Sequence, residues 1–158
     1  MTDELQALLF YAEELHRKHL LYETTPSFAY QPGMTENLQQ YDGLYDPENR
    51  ALTLFTEVKG LRYENRSRHL EGVSVGDPVL LSRDAQNAYN PNNFELLRTD
   101  GKTLGTLPAE LCNRLAPLYD LNEIEVKNVQ ASYIEQLEER SRYAKQGVLF
   151  VRVDLVIR

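Results

Sequence analysis

The sequence predicts a mainly β fold with flanking helices (β+α). The expected form is a small OB-like β-barrel of about six strands preceded by an N-terminal amphipathic helix. Three observations predict it. Short apolar runs, several of them alternating, recur through residues 51–158 between turn residues. Asp100-Gly101 lies between two such runs, a tight-hairpin signal. Near the start, Leu5, Leu8, Leu9, Ala12, Leu15 and His19 follow three-and-four spacing, which aligns one apolar helix face.

The elements follow in order. Thr2 suits an N-cap for a helix over 3–20, and Asp3 and Glu4 favour its dipole. Pro26, Pro32-Gly33, Gly43 and Asp46-Pro47 then punctuate a mostly irregular strap, anchored by aromatics such as Phe28, Tyr30 and Tyr41. Strands are expected over 52–61, 78–83, 94–99 and 103–107. Pro108 suits the first turn of a helix whose buried stripe is Leu107, Leu111, Leu115 and Leu118. A strand follows at 124–129. Ser132-x-x-Glu135 has the form of a capping box, so Tyr133–Ala144 reads as a short charged helix. Val148–Ile157 closes the chain as an alternating strand. The division is a helix and strap over 1–50 and a barrel domain over 51–158.

Composition bounds the function. A chain of 158 residues with 42% hydrophobic and 9% aromatic residues is a folded globule. No apolar run reaches the roughly 20 residues of a membrane span, so no membrane partner is expected. The acidic start lacks a signal-peptide layout, and the one cysteine, Cys112, forms no intrachain disulfide; both suit the cytoplasm. The net charge of -7 belongs mainly to residues 1–56, with nine acids against three bases. Lys59, Arg62, Arg66, Arg68 and His69 form a local basic cluster, and local potential matters more than overall charge for holding phosphate.

Two constellations carry chemistry. Arg62 offers a bidentate phosphate donor and Tyr63 a face for base stacking, although the pair equally suits a strand end. The run from Asp84 to Asn93, which includes Asn87 and Asn90, is built of Asn, Asp and Pro, residue types that dominate turns because they satisfy backbone groups locally. His16 and His19 lie one helical turn apart with no third ligand, so no metal is assigned. There is no P-loop, no G-x-S-x-G and no H-E-x-x-H, so no catalytic residue or cofactor is assigned and the chain is not expected to be an enzyme.

The block from Val58 to Asp120 resembles a HIRAN domain of the stand-alone, bacterial type. The resemblance rests on V-K-G-L-R-Y at 58–63, the Asp84–Asn93 run, and G-T-L-P-A-E-L at 105–111. It implies an arginine-aromatic pocket that grips a 3′ DNA end, with Arg62, Tyr63, Arg66, Asn87 and Asn90 as the nucleic-acid-binding residues. Four positions depart from the family pattern. Glu64 replaces a second aromatic, and Asn90 replaces the aspartate that accepts from the terminal hydroxyl. Thr106 and Ala109 replace a histidine and a lysine, and Thr106 reads better as a helix cap than as a phosphate ligand. The implied function is a non-catalytic nucleic-acid-binding module for single-stranded DNA or a 3′ end. The alternative is a protein-interaction or accessory module with a degenerate pocket, whose partner is another protein.

Overall fold

The computed structural model describes residues 3–21, 43–61, 66–136 and 147–158. Among them lie two α-helices, a 3₁₀ helix and seven strands, a mainly β architecture with flanking helices. Helix α1 (Asp3–Leu21) buries Leu5, Leu8, Ala12 and Leu15, the face expected from its spacing, and packs against the strand Gly43–Asp46 and the helix Ala109–Asp120. Thr2 and the strap over 22–42 lie outside the described residues.

Four strands form one antiparallel sheet in the order β1-β2-β7-β6: β1 (Gly43–Asp46), β2 (Ala51–Glu57), β6 (Ile124–Gln136) and β7 (Gly147–Ile157). Part of the expected irregular strap is therefore sheet. Gly43–Asp46 returns against Ala51–Leu54 through a turn in which the Asp46 carboxylate accepts from the Glu48 backbone N–H at 3.0 Å and the Asn49 amide at 2.7 Å. These side-chain bonds supply what a strand ladder would otherwise give the turn backbone.

Three strands form the second sheet: β3 (Leu80–Asp84), β4 (Asn93–Leu97) and β5 (Thr103–Thr106). Between β4 and β5 the expected tight turn is present, with Gly101 at φ 90°, a conformation that glycine adopts without strain. The expected barrel does not close among the described residues. The two sheets touch through isolated antiparallel bridges, Lys59 with Thr106 and Pro78 with Gln130.

The helix expected from Tyr133 is a strand over its described residues. Residues 133–136 continue β6, with Tyr133 paired to Phe150 and Glu135 to Val148. Ser132 is the extra residue of a bulge between Ala131 and Tyr133. Tyr133 and Glu135 share a strand face at spacing two, and the phenol donates to the carboxylate at 2.9 Å. The apolar partners on β7 outweigh a local capping signal. Residues 137–144 lie outside the described residues.

Helix α2 (Ala109–Asp120) buries Leu111, Cys112, Leu115, Ala116 and Leu118, with Leu107 buried just before it. Its N-cap is Pro108, without a side-chain cap, so Thr106 is not the cap. Thr106 is instead held by backbone pairing to Lys59 and Glu95 inside the sheet contact.

Candidate nucleic-acid interface

The 84–93 loop connects β3 to β4 and is built from its own amides. The Asn87 carbonyl oxygen Oδ1 accepts from the Tyr89 backbone N–H at 2.9 Å and the Asn90 N–H at 3.0 Å. Its Nδ2 donates to Asp84 Oδ2 at 3.1 Å, and Asn93 Nδ2 donates to the same oxygen at 3.1 Å. Asn90 Oδ1 accepts from the Asn92 N–H at 3.0 Å. Side-chain oxygens replace the missing strand partners, which is why asparagine recurs here.

Outside contacts fasten the loop to α2. Asn113 Oδ1, on the exposed face of the helix, accepts from Asn90 Nδ2 at 3.1 Å and Asn92 Nδ2 at 3.3 Å. From β3, Arg83 forks onto Asp120, with Nε to Oδ1 and Nη2 to Oδ2 both at 3.0 Å. Its Nη1 donates to the backbone carbonyls of Pro91 at 2.7 Å and Asn93 at 3.1 Å. The guanidinium also lies 5.5 Å from the centroid of the Phe94 ring, which meets Tyr119 edge-on at 5.2 Å.

The consequence is an aromatic left outside. Tyr89 is 98% exposed at the tip of a loop whose neighbours are internally bonded. Such a ring leaves both of its π-faces open to solvent, the feature that base stacking requires. Sequence reasoning passed over Tyr89, Arg83, Asp120 and Asn113. Tyr89 had a signal, an aromatic amid turn-forming asparagines; the contacts of Asn113 and Asp120 span 21 to 37 residues and leave no periodic trace.

The residues assigned from sequence fall into three groups. Asn87 and Asn90 share the loop, where both first serve the backbone and Asn90 also bonds to α2. Arg66 opens the 3₁₀ helix (Arg66–Gly72) and is half-buried, with Nη1 donating to the Gly60 carbonyl at 3.5 Å. Arg62 and Tyr63, with Glu64, lie outside the described residues.

The rest of the basic cluster is partly committed to structure. Lys59 pairs with Glu57 at 3.1 Å, and His69 Nδ1 meets the Thr103 carbonyl at 2.5 Å, while Arg68 is exposed. A carbonyl only accepts, so that histidine nitrogen carries the proton.

Other features take no part in the loop. Among the described residues no cluster of histidine, cysteine or carboxylates could hold a metal ion. No helix among them is long and apolar enough to cross a membrane. Cys112 is fully buried, and burial pushes its thiol pKa up despite a hydrogen bond from the Phe94 backbone. A cavity of about 610 Å³ lies between β3, β6 and the C-terminal end of α2; Val79, Leu81, Ile124, Val126 and the loop's partner Asp120 are among its lining, and it holds none of the sequence-assigned residues.

Comparison with known proteins agrees with the motifs. A HIRAN domain family model matches residues 52–148. The crystal structure of the HIRAN domain of human HLTF aligns with a TM-score of 0.49 at 21% identity, covering 67% of this chain and 77% of that one. The crystal structure of a protein from Lactobacillus plantarum aligns with a TM-score of 0.48 at 22% identity, covering 65% of this chain and 95% of that one. No curated protein matches the chain. The ordered motifs and a family model spanning more than half of its length place the chain in the HIRAN domain family, a family of nucleic-acid-binding modules.

Proposed function

We propose that this chain is a non-catalytic module that binds single-stranded nucleic acid, single-stranded DNA or a 3′ DNA end, at the 84–93 loop and the segment that follows Gly60. The observation that carries the reading is Tyr89, 98% exposed on a loop held in shape by its own amides and by α2. Tyr89 stacks on a base, and Arg62 with Tyr63 supplies phosphate contact and a second ring. Arg66 adds positive potential beside Gly60, and Asn87 and Asn90 keep the loop in register while offering polar edges to the sugar.

Asn90 sets how the end is read. Its Oδ1 already accepts from the Asn92 N–H, leaving one lone pair for a ligand. A neutral amide forms a weaker bond to a hydroxyl than a carboxylate does, so preference for a free 3′ end is shallow. The acidity of residues 1–56 opposes non-specific phosphate binding, so little of the affinity comes from counterion release.

The test is titration of labelled single-stranded oligonucleotides, with free and blocked 3′ ends, at low and moderate salt. Binding that weakens in Arg62→Ala and Tyr63→Ala supports the site. Unchanged affinity in both variants removes that pocket from the proposal. No binding by the parent chain moves the reading to a protein-interaction or accessory module. Metal-dependent cleavage of the oligonucleotide overturns the non-catalytic assignment.

A further inference from the structure

Arg83 makes four hydrogen bonds within the protein, and its guanidinium faces the protein instead of solvent. Its side chain is 14% exposed. One guanidinium meets both oxygens of Asp120, the carbonyls of Pro91 and Asn93, and the Phe94 ring. An arginine with its donors so distributed is not a phosphate ligand. Asp120 ends α2, where a carboxylate opposes the helix dipole, so it needs a cation beside it. Lysine could neutralise that charge but could not reach two carboxylate oxygens and two carbonyls at once.

The second fastening is Asn113. It and Asp120 are seven residues apart, two turns, and so share one face of α2 at a separation of about 10 Å. Loop residues 90 and 92 bond to the first, and Arg83 ties residues 91 and 93 to the second. The back half of the loop is thus laid along the helix at two points, and Tyr89 is the residue that leaves this track.

We infer that Arg83 is a positioning residue: through the Pro91 and Asn93 carbonyls and Asp120 it fixes the loop on α2 and so sets the direction in which Tyr89 is presented to ligand. The inference rests on the reading of Tyr89 as the ligand-facing ring, and it places the control of that ring in a residue that never touches the ligand.

The experiment uses the full chain and the variants Arg83→Lys, Asp120→Asn, Tyr89→Ala and Arg83→Lys with Tyr89→Ala. Amide hydrogen exchange needs no ligand. Exchange at Tyr89, Asn90 and Asn92 is expected to quicken about tenfold in Arg83→Lys and in Asp120→Asn, with the β7 amides and those of β4 beyond Asn93 unchanged. Binding of a labelled oligothymidine is expected to weaken about fivefold in Arg83→Lys and to show no further loss when Tyr89 is already alanine. The salt dependence of binding stays the same, because no phosphate contact is removed.

Unchanged loop exchange in both single variants overturns the inference. So does an Arg83→Lys loss of equal size with and without Tyr89, because a general loss of stability acts in both backgrounds. Failure of the parent chain to bind counts against the nucleic-acid reading alone, and exchange then decides the positioning role.

Discussion

Lys59 and Thr106 exchange both of their backbone hydrogen bonds, at 2.8 and 2.9 Å, and so fasten the three-stranded sheet to the chain that leaves β2. The contact is close because of the residue before Thr106. A Cβ on Gly105 would lie 2.2 Å from the Lys59 carbonyl oxygen and 2.7 Å from Val58 Cγ1. The obstruction is partly backbone, which no side-chain rotation relieves. Gly105→Ala is therefore expected to lower stability by about 1–3 kcal/mol, read as a fall in the urea midpoint. A midpoint within error of the parent's would show that the two sheets are not joined at this point.

Helix α1 is part of the core. Leu8 is 3% exposed within the same apolar cluster as Leu52, Leu111 and Leu115. Leu8→Ala is expected to cost about 2–5 kcal/mol in denaturant unfolding. A surface appendage would lose less than about 0.5 kcal/mol. The same packing means that removing residues 1–50 takes away core and the β1 strand together, so point changes of exposed acids such as Glu13 are the cleaner way to ask whether the N-terminal charge screens a ligand.

Acid sensitivity is expected at Asp154. Burial raises its pKa, but the Thr53 hydroxyl at 2.7 Å, the Arg152 guanidinium and the Asn128 amide together hold it below the ordinary carboxylate value. A carboxyl depressed in the folded state stabilises above its unfolded pKa, near 4 for an aspartate, and that contribution is lost as pH falls through the folded pKa. Asp154→Asn should therefore show a shallower loss of stability below about pH 4 than the parent, measured by thermal unfolding across pH. An identical acid limb in the two proteins would remove Asp154 from the explanation.

Cys112 is expected to be unreactive in the native protein. Its side chain is fully buried and burial raises its pKa, so little thiolate is present at neutral pH to attack a reagent. Labelling by a chromogenic disulfide should follow global unfolding, with its rate rising in step with urea. Immediate labelling of the folded chain would contradict the packing of α2.

The sequence exposed those parts of the fold whose signals are local or periodic. The leucine stripe from Leu107 to Leu118 and the alternation over 148–157 each became a buried face, because burial acts on every turn or every second residue. The Asp100-Gly101 turn was equally clear. Pairing across distance was not. Gly43–Asp46 was hidden by the turn residues around it, and Ser132-x-x-Glu135 imitated a helix start although Tyr133 and Phe150 pack as neighbours on paired strands. In the candidate site, the asparagine-rich loop was visible as composition. Its attachment through Arg83 to Asp120, 37 residues away, was not, since ion pairs of that separation leave no spacing to read.

In the proposed function Tyr89 meets the ligand, and one titration tests this most directly. A labelled single-stranded oligothymidine is added to the parent chain and to Tyr89→Ala at one fixed, low salt concentration. Stacking on an exposed ring is worth about 1–3 kcal/mol per base, so the alanine variant should bind roughly 5- to 150-fold more weakly. Its thermal midpoint should match the parent's, because a side chain 98% exposed contributes little to folding. Equal affinity of the two proteins for the oligonucleotide would contradict the claim.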